Sequence, residues 1–304
     1  MLSRLLVPLD GSRLAESVLP AAQSLAECFH AAIILFHAVE QAAPATVHGE
    51  RHLLTAEEAE TYLSEVAARL ARPNLPVETN VHSVRETDVT RSIIEHITEL
   101  HADMIVLAEH GSSGLRDMLI GNIAQQVVQR ATTPLLFVRP RMESAPAFAC
   151  RKILVPLDST PIHEPALPVA VAVARACGAA LHLMTVVPTP STLSAERAST
   201  GMLLPATMAA VLDLAQRGAI EYLQKATTRL VADGVSATAA VVRGDPASAI
   251  LNLAESAKAD LIVLATHGRA NLDAFWAGSV TPKVLSKSDV PVLLVRVTGE
   301  EAAR

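Results

Sequence analysis

Short apolar runs alternate with longer segments of helical period along almost the whole chain. Runs near residues 4–9, 32–38, 77–83, 103–108 and 135–139 read as strands, and a second set follows near 152–157, 180–187, 236–242, 260–265 and 291–296. Helical patterns of ten or more residues separate them, such as Ala56–Ala71 and Ala247–Ala257. Strands alternating with helices predict parallel βαβ units with right-handed crossovers. Met104–Ala108 and Leu261–Ala265 are apolar at every position. Such runs fit a sheet covered on both faces.

The second set of elements repeats the first. Arg4-Leu5-Leu6-Val7-Pro8-Leu9-Asp10 returns as Lys152-Ile153-Leu154-Val155-Pro156-Leu157-Asp158, an offset of 148 (158 − 10). Glu16, Leu19 and Pro20 keep that offset against Glu164, Leu167 and Pro168. Asp103–Ala108 returns as Asp260–Ala265 at an offset of 157 (260 − 103), which Pro134 and Pro291 share. Copy two therefore has nine more residues (157 − 148) between these blocks, and the Ser-, Thr- and Pro-rich Thr189–Pro205 is their expected place, as a loop. The expected division is domain 1 at 1–141, a linker at 142–150, domain 2 at 151–297 and a tail at 298–304.

Composition narrows the picture. A chain of 304 residues accommodates two domains of ordinary size. It is 50% hydrophobic but only 3% aromatic, so the core must be built from Ala, Val, Leu and Ile. The net charge of −6, without a Lys/Arg run, argues against a nucleic-acid partner. Cys28, Cys150 and Cys177 are odd in number and far apart, which suggests neither a disulfide framework nor a CxxC site. A reducing, cytoplasmic setting is expected, and a strand so soon after Met1 leaves no room for a secretory leader. Ala166–Val187 is apolar, but Pro168, Arg175, Gly178 and His182 interrupt it. It reads as a buried helix and strand, not a membrane span.

In open α/β sheets ligands collect beyond the carboxyl ends of the strands. Asp10 and Asp158 each end a first strand, where a carboxylate can accept from a ribose hydroxyl or an adenine amino group. The same residues suit a turn or helix cap equally well. After strand four of copy two stands Ala265-Thr266-His267-Gly268, then nine residues, then Gly278-Ser279-Val280. Gly268 permits a tight turn and close approach of a phosphate to backbone. Gly278-Ser279 would open a helix whose free N–H groups attract an anion. A glycine turn with a serine cap and no ligand remains open at this point. Gly244-Asp245-Pro246 ends strand three and starts a helix with Pro in its first turn. His110 and His267 lack further ligands at metal-binding spacing, so no metal site is expected. Phe275 and Trp276 suit burial, with base stacking as the alternative. No Walker A, G-x-S-x-G or H-E-x-x-H run occurs, and no catalytic residue is assigned.

Taken jointly, Val155-Pro156-Leu157-Asp158, Gly244-Asp245-Pro246, the Thr266–Ser279 glycine pattern and the closing run Pro291–Arg296 resemble the universal stress protein family. The resemblance covers nearly the whole chain, twice, as in a tandem-domain member. It implies two Rossmann-like α/β domains (flavodoxin- or adenine-nucleotide α-hydrolase-like), each a five-stranded, mainly parallel sheet with helices on both faces. It also implies a stress-response regulator that binds ATP or AMP, with Mg²⁺ accompanying ATP and at most slow hydrolysis. The family's nucleotide contacts fall on Asp158, Val186, Gly244, Gly268, Gly278, Ser279 and Val280, with Thr266 and His267 inside the glycine pattern. The first glycine of that pattern is Ala265 here.

Copy one departs further, reading Ala108-Glu109-His110-Gly111, nine residues, then Gly121-Asn122. Asp10 and Ala38 keep the adenine-side positions. Thr87 and Val89 replace Gly244 and Pro246, and Glu109 would repel a phosphate. Copy two is therefore the better expected site. Two other readings stay open: a nucleotide-independent structural or protein-interaction protein, and an adenine-nucleotide hydrolase. Family domains also pair through their last strands. That implies Pro134–Arg139 meeting Pro291–Arg296 antiparallel within one chain as a pseudo-dimer, with a further homodimer left open.

Overall fold

The computed structural model describes residues 2–41, 46–47, 49–86, 88–109, 122–140, 148–158, 164–193, 203–267 and 280–297. Copy one runs β1 (Arg4–Pro8), α1 (Arg13–Glu16), α2 (Leu19–Phe29), β2 (Ala32–Glu40), β3 (Thr46–Val47), β4 (Glu50–Arg51), α3 (Ala56–Leu70), β5 (Val77–Glu86), α4 (Val89–Glu99), β6 (Met104–Ala108), α5 (Asn122–Arg130) and β7 (Leu135–Val138). Copy two runs β8 (Lys152–Pro156), α6 (Ala166–Cys177), β9 (Ala180–Val187), a 3₁₀ turn (Pro190–Thr192), α7 (Pro205–Ala232), β10 (Ala237–Arg243), α8 (Pro246–Ser256), β11 (Leu261–His267), α9 (Val280–Leu285) and β12 (Val292–Val297).

Ten of these strands form one sheet in the order β10-β9-β8-β11-β12-β7-β6-β1-β2-β5. Pairing is parallel within each copy. The copies join antiparallel, with Val292 opposite Phe137, Leu293 opposite Leu136 and Leu294 opposite Leu135. The order reverses between β1 and β6 in copy one, and between β8 and β11 in copy two. In a doubly wound sheet those two points are where a crevice opens.

The repeated aspartates Asp103 and Asp260 are structural clamps. Asp103 Oδ2 accepts from the Ser3 and Arg4 amides at 2.7 and 3.1 Å, and Asp260 Oδ2 accepts from the Arg151 and Lys152 amides at 2.9 Å each. Each therefore fixes the start of strand one beside strand four. Successive strand residues face opposite sides. Val155, Leu183 and Val263 join the core beneath α6 and α7, while Leu154, Met184, Ile262 and Leu264 join the one beneath α8 and α9. Among the described residues, no helix is long and apolar enough to cross a membrane.

One expectation needs correction. The extra residues of copy two are not a simple loop at Thr189–Pro205, because α7 has 28 residues where α3 has 15. Tyr62, Leu63 and Leu70 match Tyr222, Leu223 and Leu230 at an offset of 160 (222 − 62). Copy two thus gains twelve residues (160 − 148) before this point and loses three (160 − 157) after it. Pro205 fits the first helical turn, and the Ala-, Met- and Leu-rich segment behind it propagates helix. The three residues kept by copy one lie in β5, whose register slips between Ala38–His82 and Glu40–Glu86. The cysteines show what spacing along the chain does not. All three are free, yet the Cys177 thiol lies in hydrogen-bonding reach of Cys28 and of Cys150. Folding brings together what sequence distance kept apart.

Candidate functional site

The crevice of copy two is built by parity. Val186 and Thr266 stand two residues beyond Met184 and Leu264, so they share the face covered by α8 and α9, and Asp158 follows the end of β8. Asp158 is exposed past the end of β8, and Val186 is half-buried. Thr266 is only 6% exposed, and its Oγ1 has no hydrogen-bond partner among the described residues. An orphaned buried hydroxyl carries a desolvation cost of about 1–3 kcal/mol, and a polar ligand would relieve it.

Gly244 follows β10 at φ +144, a conformation L side chains rarely adopt, and nothing stands within 4 Å of the Cβ it lacks. A cavity of about 420 Å³ lies beside it, lined by Val242, Gly244, Asp245, Ser248 and Asn252 among others. Asp245 caps α8, accepting from the Ser248 amide and hydroxyl at 3.0 and 2.8 Å. The Ser248 bonds hold its carboxyl below the usual range. The Gly-Asp-Pro segment is therefore a helix start whose glycine leaves open space. His267 ends β11, and Val280 begins α9, packed against the core beneath. Gly268, Phe275, Trp276, Gly278 and Ser279 lie outside the described residues.

The matching end of the sheet in copy one carries different contacts. Asp10 Oδ1 accepts from the Ser12 amide at 2.9 Å and the Ser12 hydroxyl at 2.6 Å, the turn role that competed with a ligand role. Gly11 has φ +90, and a Cβ there would come 2.9 Å from Leu53 Cγ. The segment after β4 thus lies against the end of β1. Glu50 Oε2 accepts from the Arg13 amide at 2.6 Å, holding that segment down. Ala38 is buried. Next to Leu9, His37 is buried with its Nδ1 2.7 Å from the Leu9 carbonyl oxygen and its Nε2 without a partner among the described residues. Burial pushes the His37 pKa down.

Where copy two has Thr266, copy one has Glu109, 7% exposed and 3.5 Å from the Arg139 guanidinium. Burial raises the Glu109 pKa, and Arg139 opposes the rise without cancelling it. Asn122 opens α5. Thr87, His110, Gly111 and Gly121 lie outside the described residues, as do linker residues 141–147 and the tail.

Sequence reasoning missed a pair of arginines. Arg139 and Arg296 occupy equivalent positions beyond the fifth strand's centre, at the offset of 157. Arg139 donates to the Ser286 carbonyl of copy two and lies 3.5 Å from Asp289. Arg296 donates to the Gln129 and Ala131 carbonyls of copy one at 3.1 and 2.7 Å. Each copy thus reaches the C-terminal end of the other's last helix. The repeated arginine was the only signal, and its partners were invisible without the antiparallel junction. Among the described residues, no group of three His, Cys, Asp or Glu is placed to hold a metal ion.

Comparison with known proteins gives a consistent picture. A sequence profile described as "Universal stress protein family" matches residues 1–139 and again residues 149–296. A universal stress protein of Methanocaldococcus jannaschii is 27% identical over 151 residues, covering 50% of this chain and 85% of that protein. One of Mycobacterium tuberculosis is 29% identical over 196 residues, covering 64% of this chain and 62% of its own length. The match thus spans less than two thirds of the mycobacterial relative. In three dimensions, a universal stress protein from Archaeoglobus fulgidus superposes with a TM-score of 0.69 at 18% identity, covering 98% of this chain and 97% of that one. This last likeness bears on the fold.

Proposed function

The chain belongs to the universal stress protein family, with the family's domain present twice, and from that premise we propose that copy two binds an adenine nucleotide, ATP or AMP, as a cytoplasmic stress-response regulator. The observation that carries this reading is the Thr266 hydroxyl, buried without a hydrogen-bond partner among the described residues on the face of the strand-order reversal between β8 and β11. In this reading Asp158 accepts from the ribose or the adenine amino group, and the backbone at Val186 borders the base. Gly244 leaves space beside the sugar. Thr266, with the backbone of His267, Gly268, Gly278, Ser279 and Val280, receives the phosphates, and Mg²⁺ accompanies ATP. Copy one, at 1–141, serves mainly as a structural partner to copy two, at 151–297. Residues 142–150 link them and 298–304 form a tail. No catalytic residue is assigned, and binding rather than turnover is the role.

Isothermal titration with ATP and with AMP tests the reading. One nucleotide per chain is expected, and Gly278→Trp should abolish it. Two equal sites per chain would overturn the assignment to copy two. Unchanged affinity in the Gly278 variant would overturn the site itself. A protein-interaction role is favoured by a different observation: Leu203, Leu204, Val211 and Leu214 are 81%, 55%, 52% and 68% exposed at and near the start of α7. That role gains weight if neither nucleotide binds.

A further inference from the structure

The copies meet at a second place besides β7 and β12. Helices α2 and α6 pack against each other on one face of the sheet. Cys28 is the penultimate residue of α2, Cys177 is the last residue of α6, and Cys150 stands two residues before β8. The Cys177 thiol lies near enough to Cys28 and Cys150 for each to influence its ionisation. Cys28 and Cys177 are half-buried, whereas Cys150 is 5% exposed within the core that spans the two copies.

The geometry points to a reversible disulfide between Cys28 and Cys177 that ties α2 to α6, and so copy one to copy two, formed by exchange with a small-molecule disulfide. One half-exposed thiol, as its thiolate, attacks the small disulfide and releases one small thiol. The second protein thiolate then attacks the protein sulfur of that mixed disulfide and releases the other small thiol. Two protein thiols and one small disulfide give one protein disulfide and two small thiols. Two electrons pass to the small molecule, and the two thiol protons end on its products.

Cys150 is the poorer partner for two reasons. A small disulfide cannot reach it directly. Its chain is also pinned, because the next amide, Arg151, donates to Ala149 O at 3.1 Å and to Asp260 Oδ2 at 2.9 Å. Cys28 and Cys177 stand at helix ends, where the chain has more freedom to adjust. Burial pushes the Cys28 thiol up to about 12, and the Cys150 contact with burial pushes Cys177 higher still. Exchange proceeds through the thiolate. Closure is therefore slow, and it answers sustained oxidising conditions rather than a brief pulse.

The test is oxidation of the full chain with excess oxidised glutathione, blocking of residual thiols, non-reducing digestion and mass mapping. The expected product is a single chain with a Cys28–Cys177 linked peptide, Cys150 blocked as a free thiol, and full reversal by dithiothreitol. Cys150→Ser should give the same linked peptide in the same yield. Cys28→Ser should leave glutathione held on Cys177. A Cys150–Cys177 link, chain-to-chain disulfides, glutathione adducts without an internal link, or three unreacted thiols would each overturn the proposal. The wild-type map decides the matter even if a variant fails to fold.

Discussion

Replacing Thr266 with Val separates the stability of the protein from its proposed binding. The two side chains have nearly the same shape, so the substitution removes a hydroxyl and leaves the packing intact. That hydroxyl is buried without a hydrogen-bond partner among the described residues. Its desolvation costs about 1–3 kcal/mol. Thr266→Val should therefore stabilise the empty protein by roughly 1 kcal/mol, a rise of about 2–4 °C in Tm. Binding should move the opposite way. A hydrogen bond to a charged acceptor such as phosphate is worth about 1.5–3 kcal/mol. Affinity for ATP should fall about tenfold or more, at 1.4 kcal/mol per decade. Thr227 provides the control. Its Oγ1 also has no partner among the described residues, but it lies in α7 against the edge of the sheet. Thr227→Val should raise Tm comparably and leave affinity unchanged. Differential scanning fluorimetry without nucleotide and calorimetric titration with it give the two readings. If both variants gain stability and both bind ATP like the parent, the Thr266 hydroxyl faces no ligand and the proposed phosphate position is wrong.

Three further outcomes follow from the same geometry. Glu109 has a raised folded-state pKa, so its burial weighs against the fold once pH exceeds the unfolded carboxylate value, and that penalty is absent below it. Glu109→Gln should match the parent in Tm near pH 4 and exceed it at pH 7; an equal or lower Tm at pH 7 would show that Arg139 pairing outweighs desolvation. Arg296→Ala removes two hydrogen bonds to carbonyls of the other copy and should lower stability by about 2 kcal/mol, read by urea unfolding, whereas a change under ~0.5 kcal/mol would mean the cross-copy contact is ornamental. Gly244→Ala meets no neighbour, so its cost of about 1 kcal/mol should come from the backbone at φ +144 alone; full retention of both Tm and nucleotide affinity would remove Gly244 from the site.

The strands were legible because Val, Leu and Ile runs such as Leu261–Leu264 have no other comfortable place than a sheet covered on both sides. The duplicated pattern also placed β7 and β12 at equivalent ends, and their antiparallel pairing follows from a two-fold relation between copies. The length of α7 was not legible. Offsets report only the net of gains and losses, so a gain before α7 and a loss in β5 merged into one number. Ser, Thr and Pro near Thr189–Pro205 then disguised a helix that begins on its proline. The site was partly legible. Strand-end residues Asp158 and Thr266 follow from period two and topology. The turn role of Asp10 depended on Ser12 two residues on, and sequence left it balanced against a ligand role. The partners of Glu109, Arg296 and the three cysteines lie more than twenty residues away along the chain, where no local pattern reaches them.

The antiparallel seam between β7 and β12 has an evolutionary corollary. In an assembly of two identical chains, every substitution appears on both sides of the axis, so one half cannot lose a cleft while the other keeps it. Covalent fusion lifts that restriction. Here one half has a carboxylate, Glu109, at the spot where the other has a bare hydroxyl, Thr266. Because the halves share one chain, their association also survives any dilution. Specialisation of one side, with the opposite side kept as its permanent scaffold, is open to such a molecule and closed to its symmetric counterparts.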